Sequence, residues 1–389
     1  MDRLAIVIQR YSGVTGGSEA LARYYAETLR SHFKVDVLTT TAGNLDTWAE
    51  QFSPGSVEES GCNVMRFNVT IGRSNYWHAL NALLMRQHSQ KTGFVPWSTA
   101  LQEEWIRRQG PHSESLLEYL RLNHQNYQCV LFFTYMYSHS YFGTMRVPRV
   151  RSRLIPTLHD EPAAYLEAFA ESARRTGGIL WNTESEKSFG EGLWGHPGGQ
   201  VIGMGIDVAG DGRRDSTVAP YILYSGRIDP GKGCNELFEM FAGFRKKHPT
   251  LKLKLTGQLY AKIPSGNGIE YLGFVANDRK LDLMRNAVCF CMPSINESLS
   301  IATLEAMSVR TPVLVNGKNP VLLEHVERSQ GGIQYTDAAQ FEEGVQACLQ
   351  NARLRDTLGE NGRQYVLKHY AHSAVRDRLL HAVSAKLSA

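Results

Sequence analysis

The chain has 389 residues, of which 42% are hydrophobic and 21% charged, so it is long for one globular domain and natural for two. Its net charge of +4 is too small for a dedicated nucleic-acid binder, although it is compatible with weak attraction to an anionic membrane surface. No apolar stretch is long enough to span a membrane, and the six cysteines form no CxxC pair or cysteine–histidine cluster. We therefore expect a cytoplasmic protein without a metal site.

The chain opens with a strand–helix–strand pattern. Residues 4–9 form a short apolar strand, a loop containing Gly16 and Gly17 follows, and Ser18 is the predicted cap of a helix. The glycines allow the loop backbone to approach a ligand. A nicotinamide-dependent enzyme is disfavoured, because it would carry G-x-G-x-x-G and an acidic residue at the end of the second strand, where this chain has three threonines.

Two more buried strands are predicted in the first half, at residues 129–134 and 152–158. The second strand leads into His159, Asp160 and Glu161. Because parallel sheets bind ligands at the carboxyl ends of their strands, His159 is a candidate site residue. We expect Asp160 to orient it or to accept a proton, and Glu161 to face solvent.

A glycine- and charge-rich segment, residues 201–218, separates two α/β patterns and predicts a domain boundary near Asp211. The predicted domains are residues 1–210 and 211–370, and residues 371–389 form a helix that crosses back onto the first domain. Within the first domain, tryptophans and arginines between residues 70 and 128 favour helices packed on a core with a solvated face. The same residues are compatible with a peripheral membrane contact or a sugar contact.

The second half begins with a predicted strand at residues 221–225, followed by Gly226, Arg227, Lys232 and Gly233 in a GR-x4-KG pattern. Two cations just beyond a strand end are compatible either with a solvated turn or with an anion site. Later in this half, a strand at residues 269–273 precedes Phe274 and Val275, and Asp278 is the predicted cap of the next helix.

Residues 287–315 predict a strand, a polar loop, a helix and a second strand, which together form a parallel crossover unit. Two acidic residues, Glu297 and Glu305, stand eight positions apart in the loop and the helix. Ser298 and Ser300 are both plausible helix caps. The free amides at such a helix start bind anions well, although any crossover unit needs a capped helix without having a ligand.

The pattern of residues 293–313 resembles the donor-binding signature of family 4 glycosyltransferases, which have the GT-B architecture. Pro293-Ser294, Glu297, Glu305-Ala306-Met307 and Thr311-Pro312-Val313 stand in register with that signature. Two departures occur: serine and alanine (Ser298, Ser300, Ala302) replace the glycines after the first glutamate, and Arg310 replaces the glycine before TPV. The glycine loop at residues 16–19, the His159-Asp160 pair, the Gly205-Ile206-Asp207 turn and the GR-x4-KG pattern also resemble the family.

The resemblance implies two Rossmann-like α/β domains that face each other across a cleft. It further implies retaining transfer of a hexose from a UDP- or GDP-linked sugar to a glycan or lipid-linked glycan, as in cell-surface polysaccharide synthesis. No D-x-D pattern occurs in the chain, so we expect neither a metal ion nor another cofactor. A nucleotide-sugar 2-epimerase of the same fold and a non-catalytic nucleotide-sugar binding subunit remain as alternatives.

The resemblance also implies roles for individual residues. Catalytic roles fall to His159, which would support the sugar near the reacting carbon, to Glu297, which would hold the sugar hydroxyls, and to the diphosphate ligands Arg227 and Lys232. Glu305 would accept hydrogen bonds from the ribose. The remaining donor contacts would be made by backbone groups, namely those of Gly16, Gly17, Phe274, Val275, Leu299, Ser300 and Ile301.

Overall fold

The computed structural model describes residues 1–14, 16–88, 93–195, 199–208, 210, 212 and 214–384. The chain divides into two compact units. Unit 1 comprises Met1–Met204 and the chain from Arg376 onward, and unit 2 comprises Gly205–Val375. The predicted boundary residue, Asp211, lies outside the described residues.

Each unit is built on a mainly parallel β-sheet. The strands of unit 1 are β1 (Arg3–Val7), β2 (Lys34–Thr40), β3 (Gly55–Glu59), β4 (Cys62–Phe67), β5 (Cys129–Phe133), β6 (Ser152–Ile155), β7 (Leu180–Trp181) and β8 (Gln200–Val201). Those of unit 2 are β9 (Tyr221–Ser225), β10 (Lys252–Thr256), β11 (Ile269–Tyr271), β12 (Cys289–Met292), β13 (Val313–Asn316) and β14 (Gly332–Tyr335).

Helices connect the strands, as parallel pairing requires. In unit 1 they are α1 (Gly17–Leu29), α2 (Asn75–His88), α3 (Thr99–Gln109), α4 (Glu114–Asn123), α5 (Ser138–Thr144), α6 (Glu167–Arg175) and α7 (Glu184–Trp194). In unit 2 they are α8 (Cys234–Arg245), α9 (Asn277–Asn286), α10 (Ile301–Ser308), α11 (Pro320–Ser329), α12 (Ala338–Gln350) and α13 (Ala352–His369). The last helix, α14 (His372–Ser384), carries the chain from unit 2 back into unit 1.

The strand order places a switch point in the middle of each sheet. The order in unit 1 is β3-β4-β2-β1-β5-β6, where only β3 and β4 are antiparallel, and the order in unit 2 is β11-β10-β9-β12-β13-β14, where all neighbours are parallel. In unit 2 the connections therefore run in opposite directions on the two sides of the β9–β12 pair. Ligands of open α/β sheets bind at such a point, beyond the carboxyl ends of the strands.

Several predicted boundaries were wrong. The strand β6 ends at Ile155, so His159 lies in a loop and not directly at a strand end. Helix α9 begins at Asn277 with Ala276 at the cap position, so Asp278 is not the cap. The β3–β4 hairpin was not predicted, because its exposed edge strand lacks the apolar run that marks buried strands.

Glycines allow α13 to pack closely against α10. A Cβ atom on Gly359 of α13 would lie 2.2 Å from the carbonyl oxygen of Arg310, which follows α10. A Cβ atom on Gly362, one turn later, would lie 3.1 Å from Cγ of Met307. The close packing holds α10, whose first turn lies beyond the carboxyl end of β12.

We predict that Gly359→Ala destabilises the protein by roughly 1–3 kcal/mol, because the added methyl group meets backbone that cannot move aside. Gly192→Ala is the matched control, since Gly192 is exposed on α7 with no atom within 4 Å of an added Cβ. It should stabilise the protein by up to about 1 kcal/mol through helix propensity. Chemical denaturation of both variants tests this, and equal stabilities for Gly359→Ala and the wild type would contradict the packing described.

Candidate functional site

The first turn of α10 presents backbone amides without protein acceptors. Ser300 occupies the cap position, and its carbonyl oxygen accepts hydrogen bonds from the amides of Thr303 and Leu304 at 3.0 and 3.3 Å. Within the described ranges, no acceptor is found for the amides of Leu299, Ser300 and Ile301. An anion at this helix start would be bound by these amides and by the helix dipole.

Of the two serines predicted as helix caps, Ser300 does not cap α10 in the usual way. Its hydroxyl lies 2.8 Å from Oγ1 of Thr303, and it makes no side-chain hydrogen bond to a backbone amide of the helix. Ser300 instead has a left-handed conformation with φ of 58°. Arg310 is left-handed as well, with φ of 63°. Both residues stand where the family resemblance leads one to expect glycine, and the positive φ angles are the physical reason for that preference.

Two predicted residues, Lys232 and Glu297, form an ion pair beside this helix start. Nζ of Lys232 lies 2.8 Å from Oε1 of Glu297 and 3.5 Å from the carbonyl oxygen of Asn296. Both side chains are largely buried, with 24% and 13% exposure. The lysine expected to bind phosphate is therefore held by the first glutamate of the signature.

The second glutamate, Glu305, has a lysine partner that was not predicted. Nζ of Lys280, on α9, lies 2.7 Å from each carboxylate oxygen of Glu305. Burial raises the pKa of Glu305, and the charge of Lys280 opposes that shift. The two residues are 25 positions apart on different helices, so no local pattern in the sequence signals their pairing.

The GR-x4-KG segment forms a tight turn. The Asp229 carboxylate accepts a hydrogen bond from the amide of Lys232 at 3.0 Å and lies 3.5 Å from Nε of Arg227. Arg227 remains about half exposed. Gly233 has φ of 72°, and a Cβ atom there would lie 2.4 Å from the carbonyl oxygen of Pro293. The turn therefore lies directly against the loop that precedes α10.

The turn that carries the predicted donor contacts Phe274 and Val275 follows β11. Gly273 has φ of 74°, and its carbonyl oxygen accepts a hydrogen bond from the amide of Gly257 at 2.9 Å. Phe274 is 72% exposed. In the described parts of the chain, the backbone groups of Phe274 and Val275 have no hydrogen-bond partner, so they are open to a ligand.

In unit 1, the glycine loop is organised by a buried ion pair that sequence reasoning missed. Helix α1 begins at Gly17 with Gly16 at the cap position, so Ser18 is not the cap. The Glu19 carboxylate lies 2.6 Å from Nη2 of Arg10, and both side chains are almost fully buried. A Cβ atom on Gly16 would lie 2.0 Å from Oε2 of Glu19, so a side chain at this position would have to displace the carboxylate that is paired with Arg10.

The carboxylate found beside the His159 ring is that of Glu161, whereas Asp160 was predicted to orient the ring. Nδ1 of His159 is 3.6 Å from Oε1 of Glu161, and that oxygen accepts a hydrogen bond from the hydroxyl of Tyr135 at 2.8 Å. Asp160 instead accepts a hydrogen bond from Tyr165 at 2.8 Å. The expectation that Glu161 faces solvent was wrong, because its side chain is only 21% exposed.

A buried carboxyl group supports the loop that carries His159. Glu186 on α7 accepts hydrogen bonds at 2.5 Å from the amides of Leu158 and Asn182. Thr183 caps α7 by accepting a hydrogen bond from the amide of Glu186 at 3.1 Å, and the Glu186 carboxylate in turn accepts a hydrogen bond from the backbone of Thr183, so the two residues form a capping box. Burial raises the pKa of Glu186 to about 8, although the amide donors favour the ionised form.

The match to a known protein family lies within one of the two units of the chain. Residues 214–365, all in unit 2, match the family model of glycosyl transferases group 1. A human alpha-1,3/1,6-mannosyltransferase is 27% identical over 31% of this chain and 29% of its own length. A capsular polysaccharide biosynthesis glycosyltransferase of Staphylococcus aureus is 24% identical over 41% of this chain and 44% of its own length. The matches thus span less than half of these relatives.

Structural similarity extends over both units. The Anabaena protein HepE, solved in complex with UDP and glucose, has a TM-score of 0.69 at 16% identity, with 98% of this chain and 99% of that chain covered. The predicted GT-B fold, with two Rossmann-like α/β domains, is confirmed. Among the described residues, no helix is long and apolar enough to cross a membrane, and no cluster of three or more metal-ligating side chains occurs.

We predict that the stability of the wild type relative to Glu186→Gln falls as the pH rises from about 5 to about 8. The folded pKa of about 8 exceeds the unfolded value of ~4.3, so the native state binds the extra proton in this window. The glutamine variant has no such titration. Urea denaturation of both proteins across the window measures the difference, and a constant difference would contradict a protonated Glu186 in the native state.

Proposed function

We propose that the protein is a retaining glycosyltransferase that moves a hexose from a UDP- or GDP-linked sugar to a glycan or lipid-linked glycan acceptor. One observation carries the proposal. The amides of residues 299–301, which have no acceptor in the described part of the chain, lie at the switch point of a parallel sheet. Glu297 and Glu305 belong to the same segment, and Lys232 contacts it through Glu297. Amides and cations suit a diphosphate, and carboxylates suit the hydroxyl groups of sugars.

The charges that develop during sugar transfer indicate a role for each of these residues. When the glycosidic bond breaks, the diphosphate gains negative charge and the sugar gains positive charge. Preorganised donors aimed at the diphosphate stabilise that state more than the ground state, and Arg227, Lys232 and the α10 amides are the donors proposed here. Because these groups supply the positive charge, we propose that no metal ion is required.

The Lys232–Glu297 pair is compatible with a ligand bound to both residues. An ammonium group has three N–H donors, so Lys232 is able to bind a phosphate oxygen while it keeps Glu297. Oε1 of Glu297 is then occupied by the lysine, and Oε2 is left to accept sugar hydroxyl groups. A carboxylate neutralised in this way is a poor covalent nucleophile, which favours substitution on one face of the sugar over a double displacement.

The other contacts complete the proposed donor site. Glu305 accepts hydrogen bonds from the ribose hydroxyls, and the backbone of Phe274 and Val275 binds the base. In unit 1, we propose that His159 supports the transferred sugar and that the Gly16–Gly17 loop approaches the donor phosphates. The glucose and UDP in the HepE structure and the polysaccharide role named for the S. aureus relative support this choice of donor and acceptor class.

Lys232→Ala should lower kcat by two to three orders of magnitude, equivalent to about 3–4 kcal/mol, because one preorganised donor to the leaving diphosphate is lost. Release of UDP or GDP from a panel of sugar nucleotides, measured in excess EDTA, tests both the lysine and the absence of a metal requirement. Lys247→Ala is the matched control, since it removes an exposed lysine paired with Glu342 on the outside of unit 2.

Two results would count against this proposal. If Lys232→Ala keeps more than about a third of the wild-type turnover, the diphosphate does not contact this lysine. If wild-type turnover vanishes in EDTA and returns with magnesium or manganese, a metal ion supplies the charge that we assign to the protein.

A further inference from the structure

A buried histidine holds the peptide bond that precedes Ser300. His325 on α11 is fully buried, and its Nε2 lies 2.8 Å from the carbonyl oxygen of Leu299. Its Nδ1 lies 3.2 Å from the hydroxyl of Tyr365, a residue of α13. The ring of Tyr370 packs edge-on against Tyr365, with the ring centroids 5.5 Å apart. His325 therefore connects α13 to the loop before α10 through two buried hydrogen bonds.

The partners define the protonation state of the ring. A carbonyl oxygen only accepts hydrogen bonds, so Nε2 carries the proton and donates it to Leu299. Nδ1 then accepts a hydrogen bond from the Tyr365 hydroxyl in the neutral ring. Burial lowers the pKa of His325, which favours the same neutral form.

The bond to Leu299 also fixes the direction of the Ser300 amide. The carbonyl group of Leu299 and the N–H group of Ser300 belong to one planar trans peptide unit, so they point in opposite directions. Since the carbonyl group points into the core towards His325, the amide of Ser300 points away from His325. This amide has no acceptor in the described part of the protein and belongs to the anion-binding set.

We propose that His325 is a positioning residue that aims the Ser300 amide at the diphosphate of the donor. The inference rests on the proposed function, because it takes the diphosphate to lie at the start of α10. Ser300 has φ of 58°, which serine adopts at a cost, so its conformation needs support from neighbouring groups. Without the bond from His325, the peptide unit is free to rotate and the amide loses its fixed direction.

A pair of substitutions separates this role from a general contribution to stability. In His325→Gln, the side-chain amide nitrogen reaches the position of Nε2 and is able to donate to Leu299. In His325→Asn, the shorter side chain reaches only the position of Nδ1, so the bond to Leu299 is lost. Tyr365→Phe is the control, because it removes the other buried hydrogen bond of His325 and keeps the bond to Leu299.

Titration calorimetry measures the dissociation constants of UMP and UDP, and of GMP and GDP. For each base, the constant of the monophosphate is divided by the constant of the diphosphate. This ratio reports the contribution of the second phosphate group. For the base that binds, His325→Asn should lower the ratio about tenfold, the loss expected for one hydrogen bond to a charged group. His325→Gln and Tyr365→Phe should stay within about twofold of the wild type.

Different failures have different meanings. A folded His325→Asn variant with the wild-type ratio would overturn the positioning role and leave the proposed function intact. A wild type that does not distinguish diphosphate from monophosphate would overturn the placement of the diphosphate, and the positioning role with it. If His325→Asn does not fold, His325→Phe replaces it, because it keeps a ring of similar size and loses the same bond to Leu299.

Discussion

The first amides of an α-helix have no acceptor inside their own helix, and the structure around α10 depends on which groups accept their hydrogen bonds instead. The Ser300 side chain does not cap it, and within the described residues three amides have no protein acceptor beyond the carboxyl end of β12. The close packing of α13 through Gly359 and the turn at Gly233 hold the segment from two sides. A helix start left open at a sheet switch point is stable with water, and it is suited to an anion that brings its own oxygen atoms.

Charge balance explains why two carboxylates are tolerated so close to a proposed phosphate site. Each glutamate of the signature has its own lysine, Lys232 for Glu297 and Lys280 for Glu305, at 2.8 and 2.7 Å. Paired carboxylates keep lone pairs for sugar hydroxyls while their net repulsion of a diphosphate is reduced. Arg227, half exposed at the edge of the same turn, is available for the remaining charge of the ligand.

The crossover around α10 was predictable because its strand, loop, helix and returning strand are consecutive, and the apolar periodicity changes at each boundary. Contacts between distant segments were not predictable. Lys280 and His325 lie 25 and 26 positions from their partners, and nothing local in either helix indicates a ligand site. The contact of His159 with Glu161 was not predictable because the chain continues for several residues past β6, through Thr157 at φ of 52°, and no sequence pattern indicates this loop conformation.

In the proposed site, the amides at the start of α10 bind the diphosphate of a sugar nucleotide. Backbone amide NMR spectra of the ¹⁵N-labelled protein, recorded during titration with UDP and GDP in EDTA, test it most directly. We predict that the Ser300 and Ile301 amide signals move to lower field with the diphosphate that binds, and move far less with the matching nucleoside. Unchanged signals for both amides at saturating nucleotide would contradict the account.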